Sequence, residues 1–297
     1  MDIKTYIILL KKIYFKIQKM AKILVTGGKG FIGSHLVDKL LAANHEVIVI
    51  DNELSGTNTN DKAKYYKLDI RNMANIVDCF ADVEYVFHMA AIPRTVWCID
   101  DPILCYETNV MGSLNVLECS RKHNVKKVIL TSSNIVYAAD TPYKMSKLGM
   151  EQIARVYSNL YGLSTVCLRN SNVYGTRQRE DGIGPNCFAS IKKSIRENGY
   201  IEITGDGEQT RDFTHVSDIV DANILAMNNS VTGNIDLCTG RNVSLNYVAS
   251  LFKAPIKYIP DRKGDVKHII QDRNKTENIL NWKPKVALED GIKDILE

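Results

Sequence analysis

The chain has 297 residues, 45% hydrophobic and 24% charged, with a formal charge of +4 at pH 7. That is globular material, enough for one large folding unit or two intimate ones, and too weakly basic to argue for a nucleic-acid partner. Seven cysteines, an odd number with no Cys-x-x-Cys spacing, speak against a disulfide framework and a zinc or other metal site. They read as reduced thiols of a cytoplasmic protein.

Residues 1–20 stand apart as an N-terminal extension. Their apolar run at 6–10 is too short to span a bilayer, and lysines interrupt the residues beyond it, so no membrane partner is expected. Residues 22–25 form a short β-rich run. They lead into a glycine-rich turn at 26–33, and then into helical periodicity at Leu36, Val37, Leu40 and Leu41. Gly27, Gly28, Gly30 and Gly33 fit two spacings of a dinucleotide-binding turn, in which glycines admit a pyrophosphate to the backbone and a helix N-terminus faces the anion. A second strand, 46–50, ends at Asp51. A carboxylate there accepts both ribose hydroxyls and repels a 2′-phosphate, which favours NAD over NADP.

The pattern then alternates. Residues 65–70 read as a strand, 72–80 as a helix, 85–88 as a strand, 101–123 as a long helical stretch and 127–130 as a strand. Helices between short apolar strands imply an α/β fold with a doubly wound parallel sheet. Ser132 and Ser133 come after the last of these strands, at the carboxyl edge where such sheets bind ligands. Ten residues on, Tyr143 and Lys147 stand four apart, one above the other if a helix opens after Pro142. A phenol is a poor base at neutral pH, and a neighbouring ammonium favours its phenolate. The pair can then move a proton on and off a substrate hydroxyl. Further on, 188–197, 216–227, 245–252 and 288–296 read as helices, and 200–203 and 234–238 as strands.

Several motifs in one order now resemble a known family. They are residues 26–33, Asp51, Asp69 with Ile70, 88–91, 109–112, 132–137, Tyr143 with Lys147, 168–175, 205–213 and 261–266. Together they are similar to the extended short-chain dehydrogenase/reductases, the nucleotide-sugar epimerases and dehydratases. The resemblance covers essentially everything after residue 20.

It implies a Rossmann domain at 21–175, rejoined by 213–240, and a smaller C-terminal substrate lobe from 176–212 and 241–297. It implies that Gly27, Gly30, Phe31, Ile32, Gly33, Asp51 and Asn52 bind NAD, that Asp69 and Ile70 flank its adenine, and that Ala90 lies near the nicotinamide ribose. Asn109 would brace the site. Ser133, Tyr143 and Lys147 would be catalytic, the last two also touching the cofactor. Asn172, Arg211, Arg262 and Asp265 would hold a nucleotide-sugar, UDP-linked as in the relatives. The resemblance further implies a homodimer, with helices at about 101–122 and 144–161 pairing across a two-fold axis. Val110, Leu114, Leu117, Ile153 and Tyr157 suit that face, and suit an intramolecular core as well.

The type of reaction depends on the positions after the serine. Relatives that eliminate water or decarboxylate carry extra acids there, where this chain has Asn134 and Ile135. Isoleucine neither donates nor accepts a proton. Reversible oxidation at one sugar carbon remains, and the likeness is nearest to the UDP-glucose and UDP-N-acetylglucosamine 4-epimerases. An NAD(P)H-dependent 4-keto-sugar reductase, or a dehydratase or decarboxylase using other acids, are the alternatives. Two segments, 137–142 and 92–95, are shorter than their counterparts. Ile269 falls where the family walls the sugar's 2-substituent.

Overall fold

The computed structural model describes residues 20–180, 187–261 and 267–296. Its architecture follows from strands buried nearly end to end. β1 (Lys22–Thr26) and β2 (Glu46–Asp51) are interior strands of a sheet covered on both faces. Alternate side chains face opposite ways. Ile23, Val25, Val47 and Val49 therefore enter one hydrophobic core, and Leu24, Ile48 and Ile50 enter another.

β3 (Lys64–Lys67), β4 (Tyr85–His88), β5 (Lys127–Ser133), β6 (Ser164–Asn170) and a later strand, Gly233–Leu237, complete a seven-stranded sheet. From the late strand inward the order is β6, β5, β4, β1, β2, β3, and every neighbouring pair is parallel. This is the doubly wound sheet that the alternating pattern implies. The strand order reverses between β1 and β4, which opens a ligand crevice at their carboxyl ends.

The helices that shape this crevice are α1 (Phe31–Ala42), α2 (Thr95–Asp100), α3 (Pro102–Tyr106), α4 (Ser113–Lys122), α5 (Pro142–Tyr161), α6 (Cys187–Asn198), α7 (Val216–Met227) and α8 (Arg273–Leu280). α1 and α7 supply Leu36, Leu40, Ile219 and Val220 to the first core, joined by Leu280 and Trp282. α4 and α5 supply Val116, Leu117, Met150, Ala154 and Tyr157 to the second. Leu117 and Tyr157 are thus spent inside the chain, with Leu114 and Ile153 packed against the same cluster. A third core gathers Tyr174, Phe188, Phe213, Val248 and Ile292, with the Phe188 ring stacked 4.9 Å from Tyr174. Among the described residues, no helix is long and apolar enough to cross a membrane.

Local chemistry explains where the elements differ from the sequence pattern. β3 stops at Lys67, short of residue 70, because Asp69 turns the chain by accepting the Arg71 N–H at 2.9 Å. The helix expected at 72–80 divides into an α turn, Met73–Ile76, and a 3-10 turn, Val77–Phe80. The long stretch at 101–123 contains a widened π-helical turn at Glu107–Gly112, and 288–296 is two single turns. α5 begins as expected. Thr141 caps it by accepting the Lys144 N–H at 3.2 Å, Pro142 fills its first position, and Gly162 ends it at φ +69°.

α5 is fastened to the sheet by one carboxylate. Glu151 is 2% exposed. It accepts hydrogen bonds from Ser132 Oγ of β5 (2.6 Å), from Arg169 Nε and Nη2 of β6 (2.8 and 2.7 Å) and from Asn234 Nδ2 of the late strand (2.9 Å). Removing one member of a buried pair strands the other's charge, at a cost of about 3–5 kcal/mol. Glu151→Ala is predicted to lower unfolding free energy by that amount in urea denaturation. A loss below about 1 kcal/mol would mean that the pin does not hold the helix.

Candidate active site

A cavity of about 520 Å³ runs along the carboxyl edge of the sheet. At one end lies the glycine turn. Gly27 has φ +69°, and a Cβ there would stand 2.6 Å from the Ala90 nitrogen; one on Gly33 would stand 2.2 Å from the Gly27 oxygen. Only glycine permits this close packing. α1 then starts at Phe31 with no acidic residue in its first turn, so its N-terminus presents unopposed partial positive charge. Asp51, 8% exposed, lines the same end. It accepts the Lys29 N–H at 2.9 Å and the Glu53 N–H at 2.8 Å, and burial raises its pKa. This carboxylate shapes the glycine turn as well as facing the cavity. The cradle and the buried acid fit a dinucleotide.

The cavity also gathers Gly30, Ile32, Asn52, Ile70 and Ala90. Asp69 is absent from its lining and works one layer back. It accepts two bonds from Arg71, at 3.1 and 2.9 Å, and one from Asn52 at 3.1 Å. Burial opposes its charge, yet these bonds hold its carboxyl at about 2.

Asn109, 1% exposed, is likewise behind the wall. The π-helical turn brings its amide against the chain at Ile92, where Oδ1 accepts the Ile92 N–H at 2.7 Å and Nδ2 donates to the Ile92 oxygen at 3.0 Å. Nδ2 also donates to Ser146 Oγ at 3.0 Å. One side chain therefore ties the loop after β4 to the helix that carries Tyr143. His88 performs a similar service for β1, with its ring between Thr26 Oγ1 (2.7 Å) and Ser113 Oγ (2.8 Å). Burial, with Lys147 nearby, depresses its pKa to about 3, so it is neutral.

Ser133, Tyr143 and Lys147 converge mid-cavity. Lys147 is 3% exposed, donates to the Thr131 oxygen at 2.8 Å, and is drawn down to about 8 by burial. Tyr143 is pushed up to about 12, again by burial; the Ser133 hydroxyl and the Arg94 charge pull the other way. From the sequence, the ammonium is expected to lower the phenol's pKa. In the structure, desolvation outweighs every neighbour.

Toward the third core the lining continues through Asn172, Cys187, Phe188, Arg211, Phe213 and Ile269. Asn172 Nδ2 donates to the Asp212 oxygen at 3.2 Å, and Arg211 Nη1 to the Thr210 and Lys267 oxygens at 2.8 and 3.1 Å. Arg262 and Asp265 lie outside the described residues, as do residues 1–19 of the extension. Sequence reasoning misses two residues. Glu151 sits four beyond Lys147 on the buried face of α5, where a charged side chain is itself the signal. Arg94 lines the wall beside Tyr143 with φ +84°, a backbone conformation that nothing in the sequence marks.

Residues 23–237 match the model of the NAD dependent epimerase/dehydratase family. The chain belongs to that family. A putative UDP-glucose 4-epimerase of Methanocaldococcus jannaschii is 37% identical over 92% of this chain and 97% of its own length. The Thermotoga maritima UDP-glucose 4-epimerase, solved with UDP-glucose, superposes with a TM-score of 0.88 at 36% identity, over 92% of this chain and 96% of that one. A UDP-N-acetylglucosamine 4-epimerase of Methanobrevibacter ruminantium, in complex with UDP-N-acetylmuramic acid, gives 0.87 at 30% identity, covering 94% and 99%. Dehydratases and decarboxylases of nucleotide-sugars are also among the relatives. The chain is therefore an NAD-dependent enzyme of the epimerase class, with a Rossmann sheet to hold the cofactor.

The Asn109 clamp has a measurable consequence. Displacing catalytic groups by about 1 Å costs on the order of 10²-fold. Asn109→Ala is predicted to lower kcat by roughly 10- to 100-fold with cofactor still bound. Unaltered kcat would mean that the loop and α5 hold their places without it.

Proposed function

We propose that the enzyme is a 4-epimerase of UDP-hexoses or UDP-N-acetylhexosamines, working through transient oxidation at the sugar's C4. The observation that carries this reading is the content of the cavity around Ser133. Tyr143 and Lys147 line it together with Ser133, and Asn134 and Ile135 line it where, by the resemblance, elimination would need an acid. NAD, when bound, supplies the reversible hydride acceptor.

The chain's own groups do the rest. Tyr143 Oη takes the C4 hydroxyl proton and returns it after the 4-keto sugar has turned over. Ser133 donates to the same sugar oxygen. Lys147 stabilises the phenolate. Asp51 favours NAD by accepting from the ribose diol. Arg211, with Arg262 outside the described residues, neutralises the diphosphate, and Asn172, Asp265 and Ile269 bound the uridine and sugar. The Rossmann domain and lobe divide as the resemblance implies, so that the diphosphate lies between them. The protein acts as a cytoplasmic homodimer in this reading. Supporting the dimer, Ile103 and Tyr106 of α3 and Val156, Leu160 and Tyr161 of the adjoining α5 are exposed apolar groups.

The direct experiment is to incubate the purified enzyme, without added cofactor, with UDP-glucose and UDP-N-acetylglucosamine and follow the sugar protons by NMR. Appearance of the galacto isomer is the predicted result; accumulation of a 4-keto sugar would replace epimerisation by elimination. In the same assay, Tyr143→Phe should retain NAD and lose about 10²- to 10⁴-fold in turnover. Near-normal turnover would remove Tyr143 as the base.

The pH profile tests Lys147 separately. Its ammonium, present below a pKa of about 8, supports the phenolate and is lost above it. kcat/KM is predicted to decline as pH rises through about 8. A flat profile from about pH 7 to about pH 9.5 would show that the charge on Lys147 is not required.

A further inference from the structure

Among the described residues, the cavity is lined by Arg94, Lys147, Arg177, Arg179 and Arg211 against a single acid, Asp51. Most of these cations already have protein acceptors. Arg177 pairs with Asp38 at 2.6 Å, Arg179 donates to the Ser55 oxygen at 3.1 Å, and Lys147 and Arg211 donate to the carbonyls named above. Arg94 differs. Among the described residues its guanidinium has no hydrogen-bond or ion-pair partner, and burial pulls its pKa down. The titratable groups acting on it are the Tyr143 phenol and the Cys187 thiol, and neither is a carboxylate. A guanidinium left without a counter-charge in such a place is costly unless an incoming anion compensates it.

The backbone beneath it is held in a strained state. Arg94 has φ +84° and ψ 134°, unfavourable for a residue with a Cβ. Its neighbours impose this. Asn109 clamps Ile92 from both sides, and the Arg94 oxygen accepts the Cys98 N–H at 3.3 Å as α2 begins. Cys98 is itself buried against Cys105 and Tyr143. Packing that maintains such a conformation fixes where the side chain starts.

The anion that Arg94 awaits is not the diphosphate. A hexopyranose joined to UDP through C1 presents C4 from the opposite side of its ring, and C4 is the carbon at Tyr143. A charge beside Tyr143 therefore meets substituents on C3 or C5. We propose that Arg94 is a subsite for a carboxylate borne by the sugar next to C4, making acidic UDP-sugars the preferred substrate class. The proposal rests on the 4-epimerase reading for the placement of C4. Two sources supply such a carboxylate: C6 of a uronic acid, and a lactyl ether on O3.

The test compares UDP-glucuronate, UDP-N-acetylmuramate and UDP-glucose. Turnover is measured on the wild-type enzyme, and affinity by calorimetry on the Tyr143→Phe variant. One of the acidic sugars should be preferred to UDP-glucose, and which one is preferred identifies the source. Arg94→Met should shrink that preference on the order of 10²-fold, the worth of a bidentate charged pair, and Arg94→Lys should keep part of it. The preference of the wild type is readable even if a variant fails to fold. UDP-glucose favoured over both acids would overturn the subsite. So would an Arg94→Met variant that slows or weakens all three sugars equally, since that is the behaviour of a charge acting on Tyr143 alone. If no sugar is epimerised while an acidic one still binds better through Arg94, the subsite stands and the 4-epimerase reading falls.

Discussion

The side chains that α5 presents to the cavity depend on where that helix lies on the sheet, and Glu151 sets that position. Its carboxylate takes hydrogen bonds from three strands at once. The same contacts continue outward. Arg169 Nη1 donates to Tyr137 Oη at 2.6 Å, and that hydroxyl donates to Asp236 at 2.9 Å. The chain between Ser133 and Tyr143 is thereby anchored at Tyr137. Two turns of helix separate Glu151 from Tyr143, so a fixed Glu151 fixes the phenol's approach to the cavity. A fully satisfied buried network of this kind specifies one arrangement more strongly than apolar packing alone.

A second constraint acts from the other side. Asn109 grips the loop after β4 and the start of α5 with one amide. Neither Glu151 nor Asn109 lines the cavity, yet between them they hold Tyr143, Lys147 and Arg94 in relation to one another. Loops at a sheet's carboxyl edge are free to vary in length. Residues 92–95 and 137–142 lie between these fixed points, so variation in them is separated from the placement of Tyr143 and Lys147.

The sheet is legible in the sequence because its signal is local. Strands 22–26 and 46–51 carry unbroken apolar runs, and the glycines between them have a spacing with a backbone reason. Tyr143 and Lys147 are legible for the same reason, as a four-residue helical spacing. Asp69 is harder. Its place in the pattern suggests the end of a strand, but its carboxylate makes a turn and binds Arg71, and both contacts depend on how the chain folds back. Arg94 is beyond reach, because it is singled out by having no acceptor among the described residues and by a φ that the residue type does not announce. The Tyr–Lys spacing puts both residues on one helix face, and both line the cavity, but it says nothing of their burial, so the phenol's pKa moves in the direction opposite to the one a neighbouring ammonium alone would give.

That reversal bears on how the site operates. Burial drives Tyr143 up to about 12 and Lys147 down to about 8. Desolvation thus favours the uncharged form of both members of the pair. A site poised this way does not store a phenolate; it makes one only when the surrounding charge is completed. Ser133 and Arg94 are the protein groups already pulling Tyr143 toward ionisation. An anion seated on Arg94 would cancel its pull and leave more of the work to Lys147, whereas a neutral sugar leaves Arg94 free to assist. Recognition and base strength are therefore coupled through one guanidinium. At the proposed subsite a carboxylate would gain affinity and give up some of the phenol's activation, so its advantage would be larger in binding than in turnover.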